Sequence, residues 1–338
     1  MTKTAFITGV TGMVGSHLLD YLLDNTDWQI HGLIRWRSPL DNISHRIEQI
    51  NLSSRAFLHT GDITDYESLE AIFKNFEFDY VFHLAAQSFP KTSFDSSNNT
   101  YDVNVIGTNN ILKACKNYCK NAVIHNCSSS EVFGRVPKEY VPINEETPFH
   151  PASPYAISKC SADLIGRYYA EAFDMNVLTT RMFTHTGPRR GDVFMESTFA
   201  KQIALIEAGF ISPVVKTGNL ESVRTIADVR DAVDAYYQLV TTPTIPPGSY
   251  FNIGGSYTTT VKKILETLIS MSTTKNITHA IDPERMRPID ADLQIPDITK
   301  FVELTSWSPA ISFETTMKDL LDYWRNRVST SGNQFLLR

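Results

Sequence analysis

The chain has 338 residues, 42% of them apolar, and a formal charge of −6 from 37 acidic and 31 basic side chains spread without long blocks. That balance suits a globular protein of about two domains and excludes the basic footprint of a nucleic-acid or anionic-membrane binder, so any anion must be held locally. No stretch approaches the roughly 20 apolar residues of a membrane span, and the first residues lead into a strand with no signal-peptide pattern, so a cytoplasmic location is expected. The four cysteines (Cys115, Cys119, Cys127 and Cys160) lack zinc spacing and read as reduced thiols, and the nine histidines are scattered, so no metal is expected.

The chain opens with TAFITGVTGMVGSHLLDYLL: an apolar strand, a turn carrying Gly9, Gly12 and Gly15, then an amphipathic helix. Glycines let the backbone approach a pyrophosphate, and a helix N-terminus offers free N–H groups and a positive dipole end. Strand, glycine turn and helix in that order predict dinucleotide binding by Gly9, Thr11, Gly12, Met13, Val14 and Gly15. The next strand, near 28–34, ends in Arg35-Trp36-Arg37. Arginine there suits a 2′-phosphate, whereas a carboxylate would hold free ribose hydroxyls. NADP is therefore expected through Arg35 and Arg37, with Asp41 keeping NAD open.

Alternation continues through a strand at 56–59, the turn GDITD, a helix from about Tyr66, the strand DYVFHLAA, a helix over about 101–117 and the strand AVIHNCS. That spacing predicts a parallel sheet covered by helices on both faces, with ligands at the carboxyl ends of the strands. Asp62, Ile63, Leu84, Ala85, Ala86, Gln87 and Ser88 stand at such ends. So does CSSSEVFG, which places Ser128, Ser129, Ser130 and Glu131 at the end of a strand. SPYAISK then sets Tyr155 and Lys159 four apart on one helix face, where an ammonium beside a phenol favours the phenolate and makes the tyrosine a usable base. An ordinary amphipathic pair is the alternative for these two residues taken alone.

The ordered set TGxTGxxG, GDxxD, HLAAQS, NVxGTxN, SSSEVFG and YAISK resembles the extended short-chain dehydrogenase/reductase family, and within it the GDP-mannose 4,6-dehydratase group, from Thr4 to about Trp324. The resemblance implies a Rossmann-type doubly wound α/β domain with a smaller, discontinuous substrate-binding α/β lobe. The Rossmann part is expected at 1–180 plus about 226–254, the lobe at about 181–225 plus 255–330, and a frayed tail at 331–338. It implies catalytic roles for Ser129, Ser130, Glu131, Tyr155 and Lys159. Tyr155, aided by Lys159 and Ser129, takes the proton of the sugar 4-hydroxyl as hydride leaves carbon 4 for the cofactor. Glu131 removes the carbon 5 proton, and Glu131 or Ser130 protonates the departing carbon 6 hydroxyl. Related epimerases usually carry a small residue where Glu131 stands, although Glu131 capping a turn or meeting Arg135 is the bland alternative.

Cofactor contacts are implied for Tyr155, Lys159 and His185 as well as the residues above. Substrate contacts are implied for Gln87, Ser88, Thr184, Arg190, Arg224 and Arg287, the last two as arginine forks on the diphosphate. Thr184, Thr198 and Thr225-Ile226 depart from the mannose enzymes and are more similar to the branch acting on GDP-D-glycero-α-D-manno-heptose. A homodimer or homotetramer is expected, with Trp36 a candidate anchor on a loop able to reach a neighbour's cofactor.

Overall fold

A computed structural model describes residues 2–52, 55–286 and 291–337. In the first half β1 (Thr4–Thr8), β2 (Gln29–Ile34), β3 (Ala56–Thr60), β4 (Tyr80–His83), β5 (Val123–Cys127) and β6 (Asn176–Met182) are joined by helices. These are α1 (Met13–Asn25), α2 (Ile47–Asn51), α3 (Tyr66–Phe73), α4 (Pro90–Asp95), α5 (Ser97–Tyr101), α6 (Gly107–Tyr118) and α7 (Pro154–Phe173). All six strands pair in parallel, in the order β3–β2–β1–β4–β5–β6. Successive side chains point to opposite faces. Ile7 joins a core with Leu18, Leu22 and Tyr236 on one side. Phe6 joins Phe73, Val81 and Ile111 on the other. Coverage on both faces is why these strands read as near-continuous apolar runs rather than alternating ones.

The helix expected over 101–117 begins earlier, because α5 runs into α6 through a π turn at Asp102–Ile106. A π turn places one extra residue in the helix, and such bulges recur at functional sites.

The second half adds β7 (His185–Thr186), α8 (Met195–Glu207), β8 (Val214–Thr217), β9 (Val223–Asp228), α9 (Val229–Thr241), β10 (Tyr250–Ile253), β11 (Tyr257–Thr260), α10 (Val261–Ser270), β12 (Thr278–Ile281), β13 (Leu293–Gln294), α11 (Thr299–Thr305) and α12 (Phe313–Ser331). α9 and β10 return to the first unit, β10 pairing in parallel with β6 as the seventh strand of the sheet. β7, β11 and β13 gather around β9, and β12 pairs with β8. Phe199, Ile203, Ile264, Leu268, Leu320 and Trp324 form the separate core of this lobe.

The expected tail at 331–338 begins where α12 ends. α12 runs through Ser331 because Val328 is buried in the lobe core, and Phe335 turns back edge-on against Trp324 at 5.3 Å. Among the described residues no helix is long and apolar enough to cross a membrane, and no group of His, Cys, Asp and Glu is placed to hold a metal ion.

One buried ion pair ties the sheet to the helix that carries Tyr155. Asp163 of α7, with no exposed surface, accepts from Arg181 Nε of β6 at 2.9 Å and from Arg167 Nε at 2.9 Å. Arg181 also donates to the Glu145 carbonyl at 2.7 Å, so the 134–152 loop is held by the same guanidinium.

Candidate active site

The glycine turn follows β1. Gly9 has φ +72°, and an added Cβ would lie 2.9 Å from the Ala85 nitrogen. A Cβ on Gly15 would collide with the Gly9 carbonyl oxygen, so α1 approaches the turn as only glycine permits. Gly12 caps α1, and no side chain binds the helix's first amides. Those N–H groups and the positive end of the helix dipole therefore face outward beside the cradle. Thr11 holds the loop after β2 by accepting from Asn42 Nδ2 at 2.9 Å, Met13 is buried, and Val14 packs on the core.

Arg35, Trp36 and Arg37 are exposed just beyond β2, with Arg37 stacked on Trp36 at 4.3 Å. Asp41 pairs with Arg327 of α12 at 3.4 Å. Asp62 accepts from both the amide and the hydroxyl of Thr64, and Ile63 is buried with its carbonyl accepting from Asn110.

A proton-ordered chain sets the loop after β4. The Thr8 hydroxyl accepts from the Leu84 amide at 3.1 Å and the Ala85 amide at 3.0 Å, so its proton goes to His83 Nδ1 at 2.9 Å. His83 Nε2–H then donates to Thr108 at 3.0 Å, and Thr108 donates to the Asn104 carbonyl. Burial holds His83 neutral, its pKa pushed down to about 3. Asn104, in the π turn, accepts from the Gln87 amide at 2.8 Å and donates to the Gln87 carbonyl and to Ser158 Oγ. One amide thereby joins the loop at Ala85–Gln87 to the Tyr155 helix. Sequence reading passed over this role although HLAA and NVxGTxN contain both ends of the chain, because the pairing is tertiary. Gln87 turns its own amide to Thr100 and to the Phe89 N–H, while Ser88 is exposed.

The serines after β5 and the Tyr155 helix meet. Ser153 caps α7 by accepting from the Ala156 amide at 3.0 Å, with Pro154 in the first turn, and Ser93 accepts from the Tyr155 amide at 3.1 Å. Ser129 Oγ accepts from the Glu131 amide at 3.2 Å and lies near enough to the Tyr155 phenol to favour its ionised form. Ser130 is buried beside them, and Ser128 Oγ donates to the Lys159 carbonyl at 3.4 Å. Arg135, the alternative partner for Glu131, lies 3.6 Å from Asp292.

Lys159 is buried on the Tyr155 helix. Its ammonium donates to the Cys127 carbonyl at 2.8 Å, and burial pushes its pKa down. Burial likewise pushes the Tyr155 phenol up, against the lowering effects of Ser129 and Arg190. Desolvation is the largest influence on both groups.

On the lobe side, Thr184 lies half-buried next to His185, whose Nδ1–H donates to the Phe183 carbonyl at 3.0 Å. Burial holds that imidazole neutral, pushed down to about 4, leaving Nε2 as an acceptor. Arg190 follows the 187–189 turn, where Arg189 takes φ +68° and reaches Asp20 of α1 at 2.7 Å. Thr198 donates to the Asp192 carbonyl at 2.7 Å. Arg224 lies in β9 with Nη1 donating to the Val223 carbonyl at 2.9 Å, and Arg287 falls outside the described residues. A cleft of about 340 Å³ opens between Val136–Lys138 and Asp292–Leu293, where the Glu131 loop meets the lobe.

The sheet, the glycine cradle, the uncapped helix end and the Tyr–Lys helix fit a nicotinamide dinucleotide. Together with the appended lobe they define an extended short-chain dehydrogenase/reductase. The sequence profile of the family described as GDP-mannose 4,6 dehydratase matches residues 6–320, so the chain belongs to that family. It is 32% identical over 346 residues to the GDP-mannose 4,6 dehydratase of Drosophila melanogaster, covering 94% of this chain and 85% of that one. It is also 28% identical to GDP-6-deoxy-D-mannose reductase of Pseudomonas aeruginosa, covering 97% and 99%. Among solved structures, RMD from Pseudomonas aeruginosa complexed with NADPH superposes with a TM-score of 0.82 at 26% identity, covering 97% of this chain and all of that one.

Proposed function

We propose that this protein is an NADP-dependent 4,6-dehydratase of a GDP-manno-configured sugar, with GDP-D-glycero-α-D-manno-heptose preferred to GDP-mannose. The observation that carries the reading is the cluster at Tyr155: its phenol feels both the Ser129 hydroxyl and the charge of the Glu131 carboxylate, and Ser129 accepts from the Glu131 amide, so a base for a hydroxyl proton stands near a carboxylate. A reductase or epimerase needs only the first of these groups.

Bound nicotinamide supplies the hydride acceptor and donor together with positive charge. Gly9, Gly12, Gly15 and the start of α1 hold the pyrophosphate, and Asp62, Ile63 and Leu84–Ala86 line the adjacent strand ends. Arg35 and Arg37 favour a 2′-phosphate, and the engagement of Asp41 with Arg327 supports NADP over NAD. Tyr155 removes the 4-hydroxyl proton, steadied by Ser129 and Lys159. Glu131 removes the carbon 5 proton acidified by the new ketone, and Glu131 or Ser130 protonates the carbon 6 hydroxyl as it leaves. Gln87, Ser88, Thr184, Arg190, Arg224 and Arg287 bound the nucleotide sugar. The heptose preference rests on Thr184, Thr198 and Thr225-Ile226.

A homodimer is proposed through α7 and the π turn. Ile157, Leu164 and Tyr168 are 44%, 53% and 56% exposed at helical spacing, and Ile106 beside them is 48% exposed. Apolar residues in such a stripe are covered when two copies pair about a two-fold axis.

Purified protein carrying only its bound cofactor is incubated separately with the two GDP-sugars, and loss of water is followed by mass spectrometry. Dehydration without net change in NADPH is expected, faster with the heptose. Oxidation or epimerisation with carbon 6 unchanged would overturn the reading.

A further inference from the structure

Two consecutive arginines follow Pro188, and they serve different partners. Arg189 Nη2 reaches Asp20 Oδ2 of α1 at 2.7 Å, while the Arg190 guanidinium lies over the Phe194 ring, 3.5 Å from its centre. The segment is a tight turn in which the Arg190 amide donates to the Gly187 carbonyl at 3.2 Å. Arg189 takes φ +68°, a left-handed conformation that a long side chain keeps only where its surroundings fix it.

The fixing contacts come from the helix of the glycine cradle. His17 and Asp20 stand three apart on one face of α1. Burial and the Arg189 charge hold His17 neutral, its pKa pushed down to about 4, and its Nε2–H donates to the Pro188 carbonyl at 3.1 Å. Asp20 takes the Arg189 side chain and is itself gripped from the other side. Its Oδ1 accepts from Arg46 Nε at 2.7 Å and from His45 Nε2 at 2.8 Å, both in the stretch after β2. Partial burial raises the Asp20 pKa, but Arg46, Arg189 and His45 together hold it below the ordinary carboxylate range. At its far end the turn is fastened to the lobe, where Ser197 Oγ donates to the Arg190 carbonyl at 2.8 Å and accepts from Trp324 Nε1 at 2.8 Å.

What Arg190 faces gives the turn its importance. Around the Tyr155 phenol stand Cys127, Ser129 and Glu131 after β5, Tyr236 of α9 and Arg190, with Lys159 one turn along its own helix. Arg190 is the cation that the lobe brings there, and its charge favours the phenolate. We infer that Asp20 is a positioning residue: through Arg189 it fixes the 187–190 turn so that Arg190 stands against Tyr155. One rigid helix thereby aligns the glycine cradle at its start and the cation that assists the base. The inference deepens the dehydratase reading and rests on Tyr155 acting as its base.

The test compares the wild type, Asp20→Asn, and Asp20→Asn combined with Arg189→Gly, all at saturating NADP⁺ with whichever of the two GDP-sugars reacts faster. In Asp20→Asn the turn relaxes and Arg190 moves away, so the acidic limb of the kcat–pH profile moves up by about one unit, the lower end of what a neighbouring charge does to a pKa. Below that limb kcat falls about tenfold. Loss of the Asp20 anion acting directly through space would move the limb the other way. Glycine adopts φ +68° without help, so the double variant returns the limb towards its wild-type position. Simple loss of stability produces neither the shift nor the return. A crystal structure of the Asp20→Asn holoenzyme gives a readout without turnover, with Arg190 displaced from Phe194 expected. An unmoved turn, an unshifted limb, or a shift that glycine does not reverse would overturn the inference. If Asp20→Asn fails to fold, Asp20→Asn with Arg189→Gln leaves no unpaired charge and carries both readouts. A displaced turn in a protein whose wild type dehydrates neither GDP-sugar would leave the positioning standing and remove the dehydratase reading.

Discussion

Asp163→Asn should be among the most destabilising single substitutions in this chain. The carboxylate is fully buried, accepts from Arg181 Nε and Arg167 Nε at 2.9 Å each, and faces an Arg181 side chain that is 1% exposed. Removing its charge leaves a guanidinium in the interior with only the Glu145 carbonyl and the surrounding rings for company. Breaking one side of a buried pair typically costs about 3–5 kcal/mol. A domain's whole stability is about 5–15 kcal/mol, so much of the margin disappears. At roughly 2 °C per kcal/mol for a chain of this size, the melting temperature falls by about 6–10 °C. Thermal and urea unfolding of cofactor-saturated protein measure this. A double variant, Asp163→Leu with Arg181→Met, removes both charges and should recover much of the loss, since apolar replacement of a buried pair is often neutral. A single-variant cost below about 1 kcal/mol would refute the view that this carboxylate anchors α7 to the sheet.

Glu131→Gln should retain cofactor binding, read by fluorescence titration, and lose dehydrated product; dehydration at an undiminished rate would rule out Glu131 as the carbon 5 base. Gly15→Ala should abolish tight cofactor binding or folding, because its Cβ collides with the Gly9 carbonyl, and a variant that binds NADP normally would show that the turn can yield. Acid should destabilise the protein well before its carboxylates titrate. His31 and His59 touch at 2.8 Å, and burial lowers both pKa values, His31 to about 4. His83 and His125 are pushed down to about 3 by the same cause. The unfolded chain binds these protons near pH 6.5 and the folded chain does not, so their contribution is complete above about pH 6.5 and is lost as pH falls towards 4. His83 and His125, both fully buried, each add a slope of up to about 1.4 kcal/mol per pH unit in that window, and the less buried His31 and His59 add less. His31→Phe should flatten it, and a melting temperature constant from pH 7.5 to 5.5, about one unit either side of that pKa, would contradict the assignment.

Much of the scaffold was legible because it is written in local patterns. The glycine turn sits between an apolar strand and an amphipathic helix, and Ser153-Pro154 announces the helix of Tyr155 and Lys159. Less legible were features made by residues distant in the chain. Nothing near Asp163 signals Arg181, and nothing near His83 signals Thr8 on one side and Thr108 on the other. Glu196 reads as an ordinary first-turn carboxylate until α8 is packed against Arg190. The four-residue interval reports that Tyr155 and Lys159 share a helix face, and not how dry that face becomes. Gln87 follows β4 in sequence, yet the direction of its amide depends on Thr100 and Phe89 closing around it.

The seventh strand has a consequence for how the chain leaves the ribosome. Residues through Met182 contain six strands and the Tyr155 helix, but β10 comes only at Tyr250–Ile253, after half of the second lobe has been made. Until then β6 is a raw border whose amides and carbonyls seek any strand within reach. Phe251 and Ile253, both fully buried, later seal it. A fragment ending near residue 182 would therefore be a poor stand-alone cofactor module, prone to self-association. The nascent chain has an interval of vulnerability as long as the synthesis of the next seventy or so residues, on the order of several seconds at ordinary elongation rates.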